Sequence, residues 1–175
     1  MNNTYITGVG SRRAPLDILV LAEKISYFYT TKGAIIRSGG AAGMDTAFEI
    51  GAFTKEVYLP WVGFNDNPSR LFGVNEDALK IAEEFHPNWK NLAQPSRLLM
   101  GRNVYQILGK DLQTPSDCVV CWTPDGCEDG RCTTNRTGGT GQALRIAAHY
   151  SIPIFNLKNT RTRERFELYV AEYLS

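Results

Sequence analysis

The chain has 175 residues, 43% of them apolar and 21% charged, enough for one globular domain, 1–175, with a sizeable core. A net charge of +1 excludes a protein drawn to DNA, RNA or an anionic membrane by its overall field, so any nucleic-acid contact must come from a local site. No uninterrupted apolar run reaches bilayer-spanning length and the opening Met1-Asn2-Asn3-Thr4-Tyr5 carries no basic, apolar leader, so a cytoplasmic protein without membrane contact is expected.

Taken in chain order, Tyr5-Ile6-Thr7-Gly8-Val9 predicts a strand, and Pro15 to Thr31 a helix with Leu16, Leu19, Val20 and Ile25 on its apolar face. Gly33 ends that helix, and Ala34-Ile35-Ile36-Arg37 predicts a second strand. A helix from about Gly43 to Phe53 and a strand Glu56-Val57-Tyr58-Leu59, stopped by Pro60, complete a β-α-β-α-β unit. Helix-period apolar residues then run over Asn75 to Phe85 and over Ser96 to Leu112, the second after the start signal Gln94-Pro95. A strand Cys118 to Trp122, a helix Gly141 to Tyr150, a strand Pro153-Ile154-Phe155 and a helix from near Arg163 to Leu174 continue the alternation. Strands alternating with helices imply an α/β, Rossmann-like, three-layer domain with a mainly parallel sheet and helices on both faces. Neither an internal repeat nor a low-complexity segment interrupts it.

Three turns stand out: Thr7-Gly8-Val9-Gly10-Ser11-Arg12, Ser38-Gly39-Gly40-Ala41-Ala42-Gly43 and Thr137-Gly138-Gly139-Thr140-Gly141. Glycine lets backbone approach an anion closely, and the free N–H groups at the following helix's start attract it. In an open parallel sheet such turns meet at the carboxyl ends of the strands, where ligands bind. Gly10, Ser11, Arg12, Ser38, Gly39, Gly40, Gly43, Gly138, Gly139, Thr140 and Gly141 are therefore candidate phosphate contacts. Neither the dinucleotide fingerprint nor the P-loop pattern occurs, and no cofactor is expected. Trp61 and Phe64, after the third predicted strand, are candidates for stacking on a base or for a lid on the core.

Cys118 and Cys121 lie three apart on one predicted strand and face opposite sides of it, a poor start for chelation, so no metal site is expected. Cys127 and Cys132 lie in a loop, where they could pair if oxidised, although free thiols are expected in a reducing compartment. His86-Pro87-Asn88-Trp89 has no obvious acid partner and reads as packing.

The order Gly8-Val9-Gly10-Ser11-Arg12, Ser38-Gly39-Gly40-Ala41-Ala42-Gly43-Met44-Asp45, Met100-Gly101-Arg102-Asn103, Asp117 with its strand, and Gly138-Gly139-Thr140-Gly141 resembles the SLOG superfamily. The first half is closer to the DNA-processing protein DprA (Smf), the second to the LOG phosphoribohydrolases. The resemblance covers most of the chain and implies that Arg102, with Asn103 beside it, binds a phosphate or sugar, and that Asp45 belongs to the site. It also implies a homodimer or higher homo-oligomer.

Two features depart from the LOG pattern. The Glu that there assists N-glycosidic cleavage corresponds to Arg145, and a guanidinium at that place would oppose the positive charge that develops on the sugar. Asp45 and Glu49, four apart beside the second glycine turn, are the replacement carboxylates if hydrolysis occurs. Thr123 to Arg136 forms an insertion before the third glycine turn, a candidate lid or partner surface. Three functions remain. The first is a nucleotide-binding sensor or sequestering protein of SLOG type holding a phosphorylated nucleoside or a nucleotide-derived signal. The second is a nucleoside-monophosphate N-glycosidase. The third is a DprA-like binder of single-stranded DNA, with Arg12, Arg13, Arg37 and the Lys158 to Arg165 stretch as its cations.

Overall fold

Along Cys118-Val119-Val120-Cys121-Trp122 the side chains divide strictly between two cores, Val120 and Trp122 on one side and Val119 and Cys121 on the other. That strand lies inside a sheet covered on both faces. The computed structural model describes residues 3–174. Its strands are β1 (Tyr5–Gly10), β2 (Ile35–Ser38), β3 (Lys55–Leu59), β4 (Leu71–Phe72), β5 (Cys118–Trp122) and β6 (Ile154–Asn156). They form one sheet of order β4-β3-β2-β1-β5-β6, parallel at every pairing. The helices are α1 (Leu16–Thr31), α2 (Met44–Gly51), α3 (Glu76–Glu84), α4 (Gln94–Leu108), α5 (Thr140–His149) and α6 (Thr160–Leu174).

Residues of α1, α2 and α6 pack with Ile6, Ile36, Val120 and Trp122 in one core. Residues of α3, α4 and α5 pack with Val9, Tyr58, Val119 and Cys121 in the other. This is the expected α/β Rossmann-like arrangement. The chain winds outward from β1 to β4, then crosses back to place β5 on the other side of β1. The strand order thus reverses between β1 and β5, and in such sheets that crevice is where ligands bind.

Four readings of the sequence are corrected. The buried face of α1 is Ile18, Leu21, Ala22, Ile25 and Ser26, whereas Leu16 is 76% and Val20 41% exposed. Ala22 and Ser26 are small, so α2 approaches closely on that side: Ser26 Oγ donates to the Phe48 carbonyl at 2.5 Å. A β-carbon on Gly51 would stand 2.0 Å from the Glu23 carbonyl oxygen. Helix α4 ends at Leu108 rather than Leu112, because Gly109 turns the chain at φ 77° and Asp111 caps the loop by accepting from the Gln113 and Thr114 amides. The two-residue β4 is too short to leave a period in the sequence.

Arg37 is not a surface cation. It is 2% exposed, donates to Glu56 Oε2 at 2.9 Å and to the Thr114 carbonyl, and lies 3.8 Å from the centre of the Tyr5 ring. A buried guanidinium needs such partners on every side.

Candidate functional site

The three glycine turns interlock at the β1/β5 end of the sheet. Ser11, first residue after β1, donates its amide to the Trp122 carbonyl at the end of β5 (3.0 Å) and accepts from the Met44 amide at the start of α2 (3.3 Å). Gly43, at φ 81°, sits so close to this turn that a β-carbon would stand 2.6 Å from the Ser11 carbonyl oxygen. The third turn is joined from α4, where Asn103 Nδ2 donates to the Gly139 carbonyl (3.3 Å) and to Gln142 Oε1 (3.1 Å).

A cavity of about 340 Å³ opens between these turns. Of the predicted contacts, Gly10, Ser11, Arg12, Asp45, Arg102, Asn103, Gly138, Gly139 and Thr140 line it. Gly138 adopts φ 64°, and a β-carbon on Gly138 would meet nothing within 4 Å, so its backbone faces open space. Gly139 precedes α5, whose first-turn amides carry the positive end of the helix dipole.

Ser38, Gly39, Gly40, Gly43 and Gly141 are outside the cavity lining. Ser38, Gly39 and Gly40 are buried, and Gly39 is hydrogen-bonded to the lining residues Asp45 and Arg102. Glu49 is likewise spent on structure: it accepts from Ser38 Oγ (2.8 Å), the Gly40 amide (2.9 Å) and Asn67 Nδ2 (3.0 Å). Phe64 is a lid on the core, 7% exposed among Ala41, Val57 and Leu59. Trp61 packs edge-to-face on it at 5.2 Å and remains 37% exposed.

Asp45 and Arg102 form the floor. The Asp45 carboxylate accepts from the Gly39 (3.1 Å) and Ala41 (3.4 Å) amides. Burial raises its pKa from 3.8 to about 6, partly offset by the Arg102 charge. Arg102 donates to the Gly39 carbonyl and, through Nε, to Asn103 Oδ1 at 3.1 Å. Burial lowers the Arg102 pKa, against the pull of Asp45.

The cavity wall also holds Arg13, named from the sequence only as a cation for DNA, Thr137 of the third glycine turn, and two residues that the sequence did not single out, Gln106 and Arg136. Arg136 comes from the insertion, so the cavity carries four guanidiniums, Arg12, Arg13, Arg102 and Arg136, against the single carboxylate of Asp45. Arg13 adjoined a predicted contact and was legible there. Arg136 carried no periodic signal.

The insertion is ordered rather than loose. Asp125 gathers the hydroxyls of Thr123 (2.8 Å), Thr134 (2.7 Å) and Thr137, and those bonds carry its pKa down to about 2 against the effect of its burial. Asn156 Nδ2 donates to the Cys127 carbonyl at 3.0 Å, and Asn156 Oδ1 accepts from the Thr123 amide at 3.3 Å. Cys127 and Cys132 are disulfide-bonded, with Cα atoms 5.8 Å apart, because the 3-10 turn Gly130–Cys132 folds the loop back; this corrects the expectation of free thiols. Cys118 and Cys121 are free thiols, and burial pushes the Cys118 thiol up to about 12.

Arg145 does not face the cavity. It donates to the Phe85 carbonyl (2.7 Å) and to Thr133 Oγ1 (2.9 Å), tying α5 to the insertion and to the end of α3. Its charge therefore bears on loop packing, and the electrostatic opposition read from its position falls away. His86 accepts from the Asn88 amide at 3.2 Å and packs near Trp89, as its packing reading required.

No family model and no curated protein sequence matches the chain. Among solved structures it is similar to DNA processing protein A from Helicobacter pylori, at a TM-score of 0.59 and 18% identity, over 87% of this chain and 64% of that one. That protein is described as binding single-stranded DNA in a unique mode. At this identity the likeness establishes the fold, which is DprA-like. The SLOG and LOG assignments gain no support from it. Among the described residues no helix is long and apolar enough to cross a membrane.

Proposed function

We propose that the chain binds single-stranded DNA, with backbone phosphates seated in the arginine-lined cavity at the β1/β5 crevice. The observation that carries this reading is the charge of the wall. Arg12, Arg13, Arg102 and Arg136 surround one space with a single buried carboxylate among them. Arg12, Arg13 and Arg136 are exposed, so they can exchange counterions for phosphates; that local attraction does not need a basic protein overall. Trp61, exposed beside Phe64 in the turn after β3, is the side chain we assign to stacking on a base. The likeness in fold to a single-stranded DNA binder adds to this reading.

A second reading rests on the size of the space. A cavity of about 340 Å³ suits one nucleotide, and a phosphorylated nucleoside would find the same arginines and the same helix start. The N-glycosidase reading has less behind it. The only carboxylate lining the cavity is Asp45, and its Oδ2 is engaged by the Gly39 and Ala41 amides.

Fluorescence anisotropy with a labelled oligothymidylate, challenged by unlabelled duplex and by nucleoside monophosphates, separates these readings. Saturable binding that duplex and mononucleotides displace only weakly supports the strand. Displacement by a mononucleotide at equal concentration transfers the site to the second reading, and absence of binding overturns the proposal.

A further inference from the structure

A second cavity, about 380 Å³, lies away from the glycine turns, where the outer edge of the sheet meets α4. Tyr58 of β3 and Tyr105 of α4 contribute two rings stacked at 5.7 Å with 27° between their planes. Both hydroxyls are engaged within the fold. Tyr58 donates to Glu56 Oε2 at 2.6 Å, and Tyr105 accepts from the Asn75 amide at 3.0 Å. Tyr58 and Tyr105 are only 3% and 7% exposed, so they back the cavity from within the core. Glu56 is itself bound to Arg37, which fixes the Tyr58 ring in place.

Phe72, on the edge strand β4, is 50% exposed at the same cavity. Gly73, next to it, has open space where a β-carbon would stand, so the entrance is not crowded. Two cations, Arg70 and Lys110, complete the lining, which contains no carboxylate. Both are exposed, and neither forms an ion pair among the described residues. Unpaired cations beside an exposed aromatic ring suit a ligand that is planar at one end and anionic at the other.

We infer that the cavity between Tyr58, Tyr105, Phe72, Arg70 and Lys110 is a second binding site, for a small aromatic anion such as a nucleoside monophosphate. It does not depend on the strand-binding proposal, because it shares no lining residue with the arginine cavity. The ring packs against Phe72 while Arg70 and Lys110 hold the anion. Neither half of the ligand suffices alone.

The test is isothermal titration with 5′-AMP, adenosine and inorganic phosphate as separate probes. It compares the native protein with the Arg70→Ala/Lys110→Ala and the Arg12→Ala/Arg136→Ala double variants. All four residues are exposed, so both variants keep the fold. The inference predicts AMP binding that weakens roughly tenfold or more in the Arg70/Lys110 variant and persists in the Arg12/Arg136 variant, with adenosine and phosphate each much weaker than AMP. Phe72→Ala gives an independent loss of the aromatic contribution. AMP binding lost only in the Arg12/Arg136 variant, phosphate binding as well as AMP, or no binding of AMP overturns it. Failure of the strand proposal shows separately, as oligothymidylate binding insensitive to Arg12 and Arg136.

Discussion

Arg102 donates from the middle of α4 to the carbonyl of Gly39, so the second glycine turn is held from above by the same guanidinium that faces the cavity. A β-carbon on Gly39 would stand 2.3 Å from Arg102 Nη1 and 2.6 Å from Gln106 Nε2. Gly39 is therefore required by the position of Arg102, and not by direct contact with a ligand. Gly39→Ala removes no charge, yet it must displace the guanidinium. The expected result is a loss of about 2 kcal/mol in urea unfolding, as for other overpacked sites, together with weaker oligonucleotide binding. Arg102→Ala leaves Asp45 buried without its cation and costs more, about 3 kcal/mol.

Asp45 makes the site sensitive to pH. Its pKa is about 6 in the folded protein against 3.8 ordinarily, so between those values the native state holds a proton that the unfolded chain has released. Stability from this group is present below about 4 and is lost as pH rises through about 6. A phosphodiester does not titrate there. Protonating Asp45 removes the only negative charge in the cavity lining, so strand affinity rises as pH falls from 7 to 5. Asp45→Asn flattens that profile, measured by anisotropy. A native profile identical to that of Asp45→Asn contradicts the assignment.

Glu56 is the counter-ion of a guanidinium that is 2% exposed, while Glu56 itself keeps 29% of its side chain in solvent. Glu56→Gln leaves the Arg37 charge buried with only neutral partners. Allowing for the exposure of Glu56, the expected cost is about 3 kcal/mol, at the low end for broken buried pairs, seen as a lower urea midpoint with an unchanged slope.

The disulfide closes a short loop inside the insertion that carries Arg136. Cys127→Ser/Cys132→Ser loses about 2 kcal/mol by the loop-entropy estimate. Asp125 and Asn156 hold the insertion by separate bonds, so strand affinity in that variant falls less than in Arg136→Ala.

The alternation of strands and helices was legible because β1, β2, β3 and β5 carry short apolar runs bounded by glycine, proline or polar residues. The cavity was legible in part because glycine turns at strand ends mark a parallel sheet's ligand edge. Leu16 and Val20 misled, since α1 carries apolar residues around most of its circumference and only the small Ala22 and Ser26 say which face α2 meets. Arg136 was missed because the insertion is organised by the carboxylate of Asp125 and a disulfide, interactions without a period. Glu49 and Arg145 look chemical in sequence and are structural in space, as their bonds to Gly40 and to Phe85 show.

The central claim is that exposed arginines of the cavity bind backbone phosphates, and the salt dependence of oligothymidylate affinity tests it most directly. With Arg12, Arg13 and Arg136 as the exposed contacts, log affinity should fall against log salt with a slope of about 2, near 0.7 for each phosphate neutralised. Arg136→Ala should reduce that slope by about 0.7. A native slope near zero, or one unchanged in Arg12→Ala/Arg136→Ala, would contradict it.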